Sequence, residues 1–446
     1  MMKIKGTYAD EFMKYENFVI FVLFFVEKSD NMKNKSATNL RMREEGKCLK
    51  YVIVLSDGMA DLPIEELGGK TPLEYASTPC MDALASGGAM GMVKTVPNGM
   101  KPGSDVANLA VMGYDPSKCY SGRSPLEALS VGVAMKDTDV VFRCNLVTLT
   151  EDEPYEEKII LDHSSGEIST QDADILMDAV RAAFQNDEFK FYTGTSYRHI
   201  TVWDKGEILD LEQPHDHLGQ VIGQYLPENK LFREMMKKSF DVLNNHPLNL
   251  KRAAEGKNKA NSLWFWGAGT KPSLQNFYEK TGLNGTMISA VDLLKGIAVG
   301  AGMQVVEVAG ATGSLDTNYA GKANAAVKAL LEDKQDFVYI HIEAPDEMGH
   351  QGNVHHKVKA IELIDKEVVA VVKKALDASN EPYRILVLPD HPTPICIRTH
   401  TAEPVPYVLY DSRNVENKNA VFTEKSAAAT GVFHEDGYRL MDLLID

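Results

Sequence analysis

The chain has 446 residues, enough for two or three domains with full cores, and the composition of an ordinary folded protein. Its formal net charge of −16 excludes the basic field of a nucleic-acid-binding protein, yet is compatible with an anionic substrate held in a cleft by a local arginine cluster or a metal. Five scattered cysteines without a CxxC pair exclude a disulfide framework and point to reduced thiols in a cytoplasm.

In chain order, the first feature is an apolar run, FVIFVLFF at 18–25. It is less than half the length that spans a bilayer, and charged EKSD follows it with no small-residue cleavage site. Residues 1–46 read as a non-core extension, with Met32 and Met42 as alternative starts; an interfacial helix is the competing reading. KYVIVLSDGMAD then gives a buried strand over Val52–Leu55 with Asp57 at its exit. TPCMDALASGGAMG is a helix closed by glycines, and SPLEAL is a helix start with Ser124 at the cap, Pro125 in the first turn and Glu127 three residues on.

The middle of the chain, from about 140 to 285, is more charged and irregular. It holds an amphipathic helix in QDADILMDAVRAAF, a strand–turn–strand in FYTGTSYRHITVW, and a polar stretch, NNHPLNLKRAAEGKNKANS, that reads as loop with one helical turn. From about 287 strand and helix alternate again, in MQVVEVAG, GKANAAVKALLED, FVYIHIEA, KVKAIELIDKEVVAVVKKALD and RILVLPD. The first and last thirds thus predict one mostly parallel α/β sheet flanked by helices, with the middle third inserted as a smaller domain.

Ligands of open α/β sheets sit beyond the carboxyl ends of the strands, where Asp57, Asp346 and Asp390 all emerge. Clustered carboxylates repel one another unless a cation lies between them. His350, His391 and His400 lie close by in sequence, and three Asp with three His exceed the usual ligands of one ion, so two divalent ions are expected. Mixed imidazole and carboxylate suits Mn²⁺ or Zn²⁺ better than Ca²⁺. In PGSDVANLAVMGY, Ser104 precedes a helical pattern at Val106, Leu109 and Met112, which places its hydroxyl at a helix amino terminus. It is either an activated nucleophile or a plain N-cap serine. Walker A and GxGxxG motifs are absent from the sequence.

SDGMAD, PGSDVANLAVMGYDP, GRSPLEA, FRCNLVT, GATGSLDTNYAGKA, HIEAPDEMGHQG and PDHPTP together resemble the archaeal-type cofactor-independent phosphoglycerate mutases of the alkaline phosphatase superfamily. The resemblance runs collinearly over about residues 48–446. It implies an alkaline-phosphatase-like α/β fold, with a discontinuous metal-binding domain at 47–135 and 286–446 and an inserted α+β substrate domain at 136–285. It also implies two metals, commonly manganese, with Zn²⁺ or Mg²⁺ as alternatives. Asp57, Ser104, Asp390 and His391 would hold one ion, and Asp346, His350 and His400 the other. Ser104 would carry the phosphoryl group while 3- and 2-phosphoglycerate interconvert in glycolysis.

The expected partner is therefore a small phosphorylated substrate, with no nucleic acid and no membrane; a homo-oligomer is compatible. Anion clamps are sought at Arg123, Arg143, Arg198, His199, Arg252 and Lys322, since a bidentate arginine suits phosphate and carboxylate alike. Two positions depart from the family's tendency to arginine, Glu167 and Trp266, in the manner of a bacterial branch proposed to act on homoserine. A homoserine phosphotransferase or kinase in threonine synthesis and a broad metal-dependent phosphatase therefore stand as alternatives to the mutase.

Overall fold

A strand with no polar face needs cover on both sides, and β1 (Lys50–Ser56) has it: all seven residues are buried. The computed structural model describes residues 48–446; the expected extension at 1–46 lies outside the described residues. The further strands are β2 (Ala89–Val93), β3 (Asp139–Leu149), β4 (Ile160–Asp162), β5 (Phe189–Tyr192), β6 (Arg198–Asp204) and β7 (Ser262–Thr270). They continue with β8 (Gly285–Ile288), β9 (Gln304–Val305), β10 (Phe337–Ile342), β11 (Tyr383–Leu388), β12 (Val405–Asp411) and β13 (Phe433–His434).

Eight strands form one sheet in the order β13-β2-β12-β11-β1-β10-β8-β9. Five of its neighbour pairs are parallel, and β12 runs antiparallel to both β11 and β2. The pleat of β1 sends Val52 and Val54 to one face, against Leu84, Ala326, Ile361 and Val372 of the helices Pro79–Gly87, Tyr319–Leu331, Val354–Ile364 and Ala370–Ser379. Tyr51, Ile53 and Leu55 go to the other face, against Leu109, Ile297 and Leu440 of the helices Ser104–Val111, Asp292–Gly300 and Leu440–Ile445. Among the described residues no helix is long and apolar enough to cross a membrane.

The second sheet is antiparallel and centres on β3, whose eleven residues are all buried between β6 and β7. β5 extends the sheet beyond β6, as the strand–turn–strand reading expected, and β4 joins at the end of β3. The helices Thr170–Phe184 and Lys230–Leu243 cover it through Leu176, Met177, Val180, Phe232 and Met236. The helix Phe277–Thr281, which follows β7, packs Phe277 into the core of the large sheet.

Three local expectations are corrected. The polar stretch around 250 contains an eight-residue helix, Pro247–Ala254, capped by the His246 side chain. Its buried positions are Asn249 and Arg252, so apolar periodicity passes it by; Asn249 Nδ2 bonds the carbonyls of Leu243 and Ala260 instead. The SPLEAL helix begins at Arg123 with Gly122 as its cap, and Ser124 donates its hydroxyl to the Gly267 carbonyl. MQVVEVAG pairs only through Gln304–Val305, at the sheet's edge.

The helix Asp292–Gly300 crosses Arg123–Ser130 so closely that a Cβ on Gly296 would lie 1.7 Å from the Leu126 carbonyl oxygen. Gly296→Ala is expected to force these helices apart and lower stability by about 2 kcal/mol or more, read from the denaturation midpoint.

Candidate active site

β11, β1 and β10 lie side by side and parallel, with Leu55 level with Leu388 on one side and His341 on the other. Their carboxyl ends deliver Asp57, Asp390 and the start of the helix Ala344–Gln351 to one rim. One turn of that helix separates Asp346 from His350. The segment after β11 folds back, with Thr401 N bonded to the Pro392 carbonyl, and brings His400 over the same spot. Asp57, Asp346, Asp390 and His391 are all buried.

The side chains converge as their separation in sequence requires. His350 Nε2 lies 3.2 Å and His400 Nε2 3.3 Å from the Asp346 carboxylate, and the two nitrogens are 3.0 Å apart. His350 Nδ1 donates to the Arg398 carbonyl at 3.0 Å, which fixes the ring with Nε2 turned inward. His391 Nε2 stands 3.6 Å from Asp57 and 3.4 Å from Asp390. Two sets, Asp57 with Asp390 and His391, and Asp346 with His391 and His400, have ligand atoms within 4.8 Å of one another.

Burial, with Asp390 and Asp346 close by, raises Asp57 well above the usual carboxylate range. Burial would raise Asp346 too, but hydrogen bonds from His350 and His400 outweigh it and hold this carboxyl well below. Its bond to Asp346 raises His350 to about 9. Asp57 Oδ1 is buried without a hydrogen-bond partner. A buried carboxylate oxygen aimed at imidazole and carboxylate neighbours fits a divalent cation.

Ser104 opens the helix Ser104–Val111, whose cap is Gly103, so its hydroxyl is free of a capping role. Ser104 Oγ lies 3.2 Å from His391 Nε2 and 3.4 Å from Asp57 Oδ2. Asn108, one turn on, bonds the Ser104 carbonyl and Asp390 Oδ2, both at 2.8 Å, and accepts from Tyr339 Oη at 2.6 Å. Gly58 follows Asp57 at φ +61°, and a Cβ there would sit 2.7 Å from Asp346 Cα. Only glycine lets the two acids approach so closely, and Gly58 N also donates to Asp390 Oδ1.

A cavity of about 210 Å³ opens between the two sheets, lined by Arg123, Arg143, Arg198 and His199 on one side and by Asp292, Gly313 and Glu343 on the other. Thr195 Oγ1 donates to Asp292 Oδ2 across it at 3.2 Å. Glu343 joins the cavity to the acidic rim, since its carbonyl accepts from Asp346 N at 2.9 Å. Burial, then the charge of Asp346, raises the Glu343 carboxyl to about 7. Arg143 Nε, Arg198 Nε and His199 Nε2 are buried without partners. Burial, then Arg143, lowers His199 to about 3, so the ring is neutral; its Nδ1 accepts from Gly194 N at 3.2 Å, which leaves the proton on Nε2. Unpartnered donors around a cavity are what an anionic ligand satisfies.

Of the residues expected at the site, the structure brings Asp57, Ser104, Asp346, His350, Asp390, His391 and His400 together at the rim, and Arg123, Arg143, Arg198 and His199 around the cavity. It leaves Arg252 and Lys322 out of the cavity lining. Arg252 is consumed inside the small sheet's domain by Asp172, the Ser165 carbonyl and the Asn258 carbonyl. Lys322 is buried and donates to the His341 carbonyl at 3.0 Å; burial lowers it to about 8. Glu127, expected in a capping box, instead clamps Arg123 Nε and Arg143 Nη1. Trp266 stacks 5.2 Å from the Arg143 guanidinium and donates to Asn145 Oδ1. His341, Tyr339 and Asn108 went unseen in the sequence; their one signal is polar character at positions that strand and helix periodicity assigns to the core.

A family model described as 2,3-bisphosphoglycerate-independent phosphoglycerate mutase matches residues 85–249. A 2,3-bisphosphoglycerate-independent phosphoglycerate mutase of Methanosarcina barkeri is 50% identical over 388 residues, covering 85% of this chain and 95% of its own. Among solved structures, a protein from Pyrococcus horikoshii is similar at a TM-score of 0.74 and 31% identity, over 89% of this chain and 97% of its own. The cofactor-independent phosphoglycerate mutase from Thermoplasma acidophilum is similar at a TM-score of 0.60 and 26% identity, over 89% of this chain and 99% of its own. With half of its residues shared along nearly the full length of such a relative, the chain belongs to the 2,3-bisphosphoglycerate-independent phosphoglycerate mutase family.

Proposed function

We propose that the protein interconverts 3- and 2-phosphoglycerate by metal-dependent phosphoryl transfer through a phosphoserine at Ser104. The observation that carries this reading is the gathering of seven distant side chains at one rim, beside a cavity lined by Arg123, Arg143 and Arg198. Asp57, Ser104, Asp390 and His391 would hold one divalent ion, and Asp346, His350 and His400 the other, with Mn²⁺ preferred over Zn²⁺ or Mg²⁺. Bound there, such ions screen the phosphoryl oxygens and lower the pKa of the serine hydroxyl.

Ser104 Oγ forms a bond to phosphorus as the bond from phosphorus to the C3 oxygen breaks, and the departing oxygen takes up a proton. The glycerate then turns so that its C2 hydroxyl loses a proton and attacks the phosphoserine, which restores Ser104. Over the cycle the proton count balances and no water is consumed. The arginines of the cavity, with His199, suit the substrate's carboxylate and its phosphoryl group as the glycerate turns. Water would divert the phosphoserine to hydrolysis, so residues 47–135 with 286–446 and the inserted 136–285 act as two domains that close on the substrate. A place in glycolysis follows from the reaction. Cys80, Cys119, Cys144 and Cys396, which form no disulfide among the described residues, suit a reducing cytoplasm.

Ser104→Ala is expected to reduce mutase turnover by about a thousandfold or more, because the acceptor of the phosphoryl group is gone, while two Mn²⁺ still bind. Normal turnover in that variant overturns the serine assignment. Treating the protein with a chelator should abolish conversion of 3-phosphoglycerate, and added Mn²⁺ should restore it; activity that survives complete metal removal refutes the metal-dependent route. Arg143→Ala should raise KM by about 10–100-fold, the worth of a charge-assisted hydrogen bond, whereas Arg252→Ala should lower the melting temperature and leave KM unchanged.

A further inference from the structure

Behind the Asp57 carboxylate stands a buried imidazole that the phosphoryl-transfer scheme does not use. His341 is the fifth residue of β10 and is completely buried. Strand pleating puts it on the same face as Phe337 and Tyr339, while Val338, Ile340 and Ile342 pack into the opposite core. That face of the strand ends in a polar group where another hydrocarbon would fit, so a specific partner must justify it.

The hydrogen bonds around His341 determine where its proton is. Val291 N–H donates to Ser289 Oγ at 3.0 Å, so the serine's own hydrogen is free to point at His341 Nδ1, 3.1 Å away. Nδ1 is then the acceptor, the proton sits on Nε2, and Nε2 donates to Asp57 Oδ2 at 2.8 Å. Lys322 Nζ binds the His341 carbonyl at 3.0 Å and holds the strand end in place. Oδ2 of Asp57 is thus held by His341 at 2.8 Å, with Ser104 Oγ a longer second donor at 3.4 Å, while Oδ1 is left buried and unpartnered, facing His391.

We infer that His341, oriented by Ser289, is a positioning residue that turns one oxygen of Asp57 toward the metal-binding group before any cation enters. The inference rests on the proposed two-ion reading and adds to it the device that keeps the site open. Asp57 shares a tight group with Asp390, a like charge, so a carboxylate free to rotate would turn away. A neutral N–H donor from behind opposes that rotation without adding a positive charge that would compete with the cation. A charged donor at the same place would weaken cation binding.

The test is titration calorimetry of Mn²⁺ into metal-stripped full-length protein, beside thermal melting in chelator and turnover at rising Mn²⁺. Wild type should bind two ions. His341→Leu should weaken one of them by about 10–100-fold, leave the other unchanged, and recover turnover as Mn²⁺ is raised. His341→Gln, whose side-chain amide can reach Asp57, should bind within a few-fold of wild type, and Ser289→Ala should fall between. If His341→Leu binds both ions as tightly as wild type, the inference is wrong. It is equally wrong if His341→Gln is as impaired as His341→Leu and affinity merely follows the fall in melting temperature. A wild-type protein that takes up no Mn²⁺ overturns the two-ion reading, and this inference with it.

Discussion

The site is governed by electrostatic crowding. Three carboxylates, Asp57, Asp346 and Asp390, emerge from the ends of three adjacent parallel strands and are buried at one rim. Such groups cannot all be ionised in a low-dielectric setting without a compensating charge. Two imidazoles partly supply it at Asp346, whereas Asp57 has a free buried oxygen and a raised affinity for protons. The fold makes the crowding unavoidable, since the strand register puts the exits level and Gly58 removes the one Cβ that would keep Asp57 and Asp346 apart.

Across the cavity the sign of the problem is reversed. Arg123 and Arg143 share a single carboxylate, Glu127, and Arg198 and His199 keep buried donors without partners. Cations held close together by the antiparallel sheet face a rim of acids held close together by the parallel one. The cavity suits the phosphorylated carboxylate proposed as substrate, and the rim has the residue types that hold a divalent cation. Trp266 fits this arrangement, because its ring lies against the Arg143 guanidinium and limits the ways that side chain can turn. A residue with no charge of its own thereby takes part in placing one.

Much of this was readable beforehand. Six of the seven rim residues were legible because Asp and His are rare at the end of apolar strands unless something needs them there, and Ser104 because it precedes a helical pattern. Arg143, Arg198 and His199 were legible as side chains able to donate to phosphate or carboxylate. Arg252 carried the same signal with a different outcome, since a buried guanidinium satisfied by Asp172 and two carbonyls looks in sequence like one awaiting a ligand. His341 and Ser289 gave no signal of function, because an orienting residue is defined by what it touches, and its partner lies 284 positions away.

The sequence by itself determined most of the elements, the alternation that makes a parallel sheet, and the candidates for metal and phosphate chemistry, because local periodicity and residue type carry that information. Only the tertiary structure decided which cations face the cavity, which oxygen of Asp57 is left open, and that Glu127 clamps arginines rather than capping a helix. Those outcomes depend on contacts between strands and helices far apart in the chain, and no periodicity encodes the partner across such a distance.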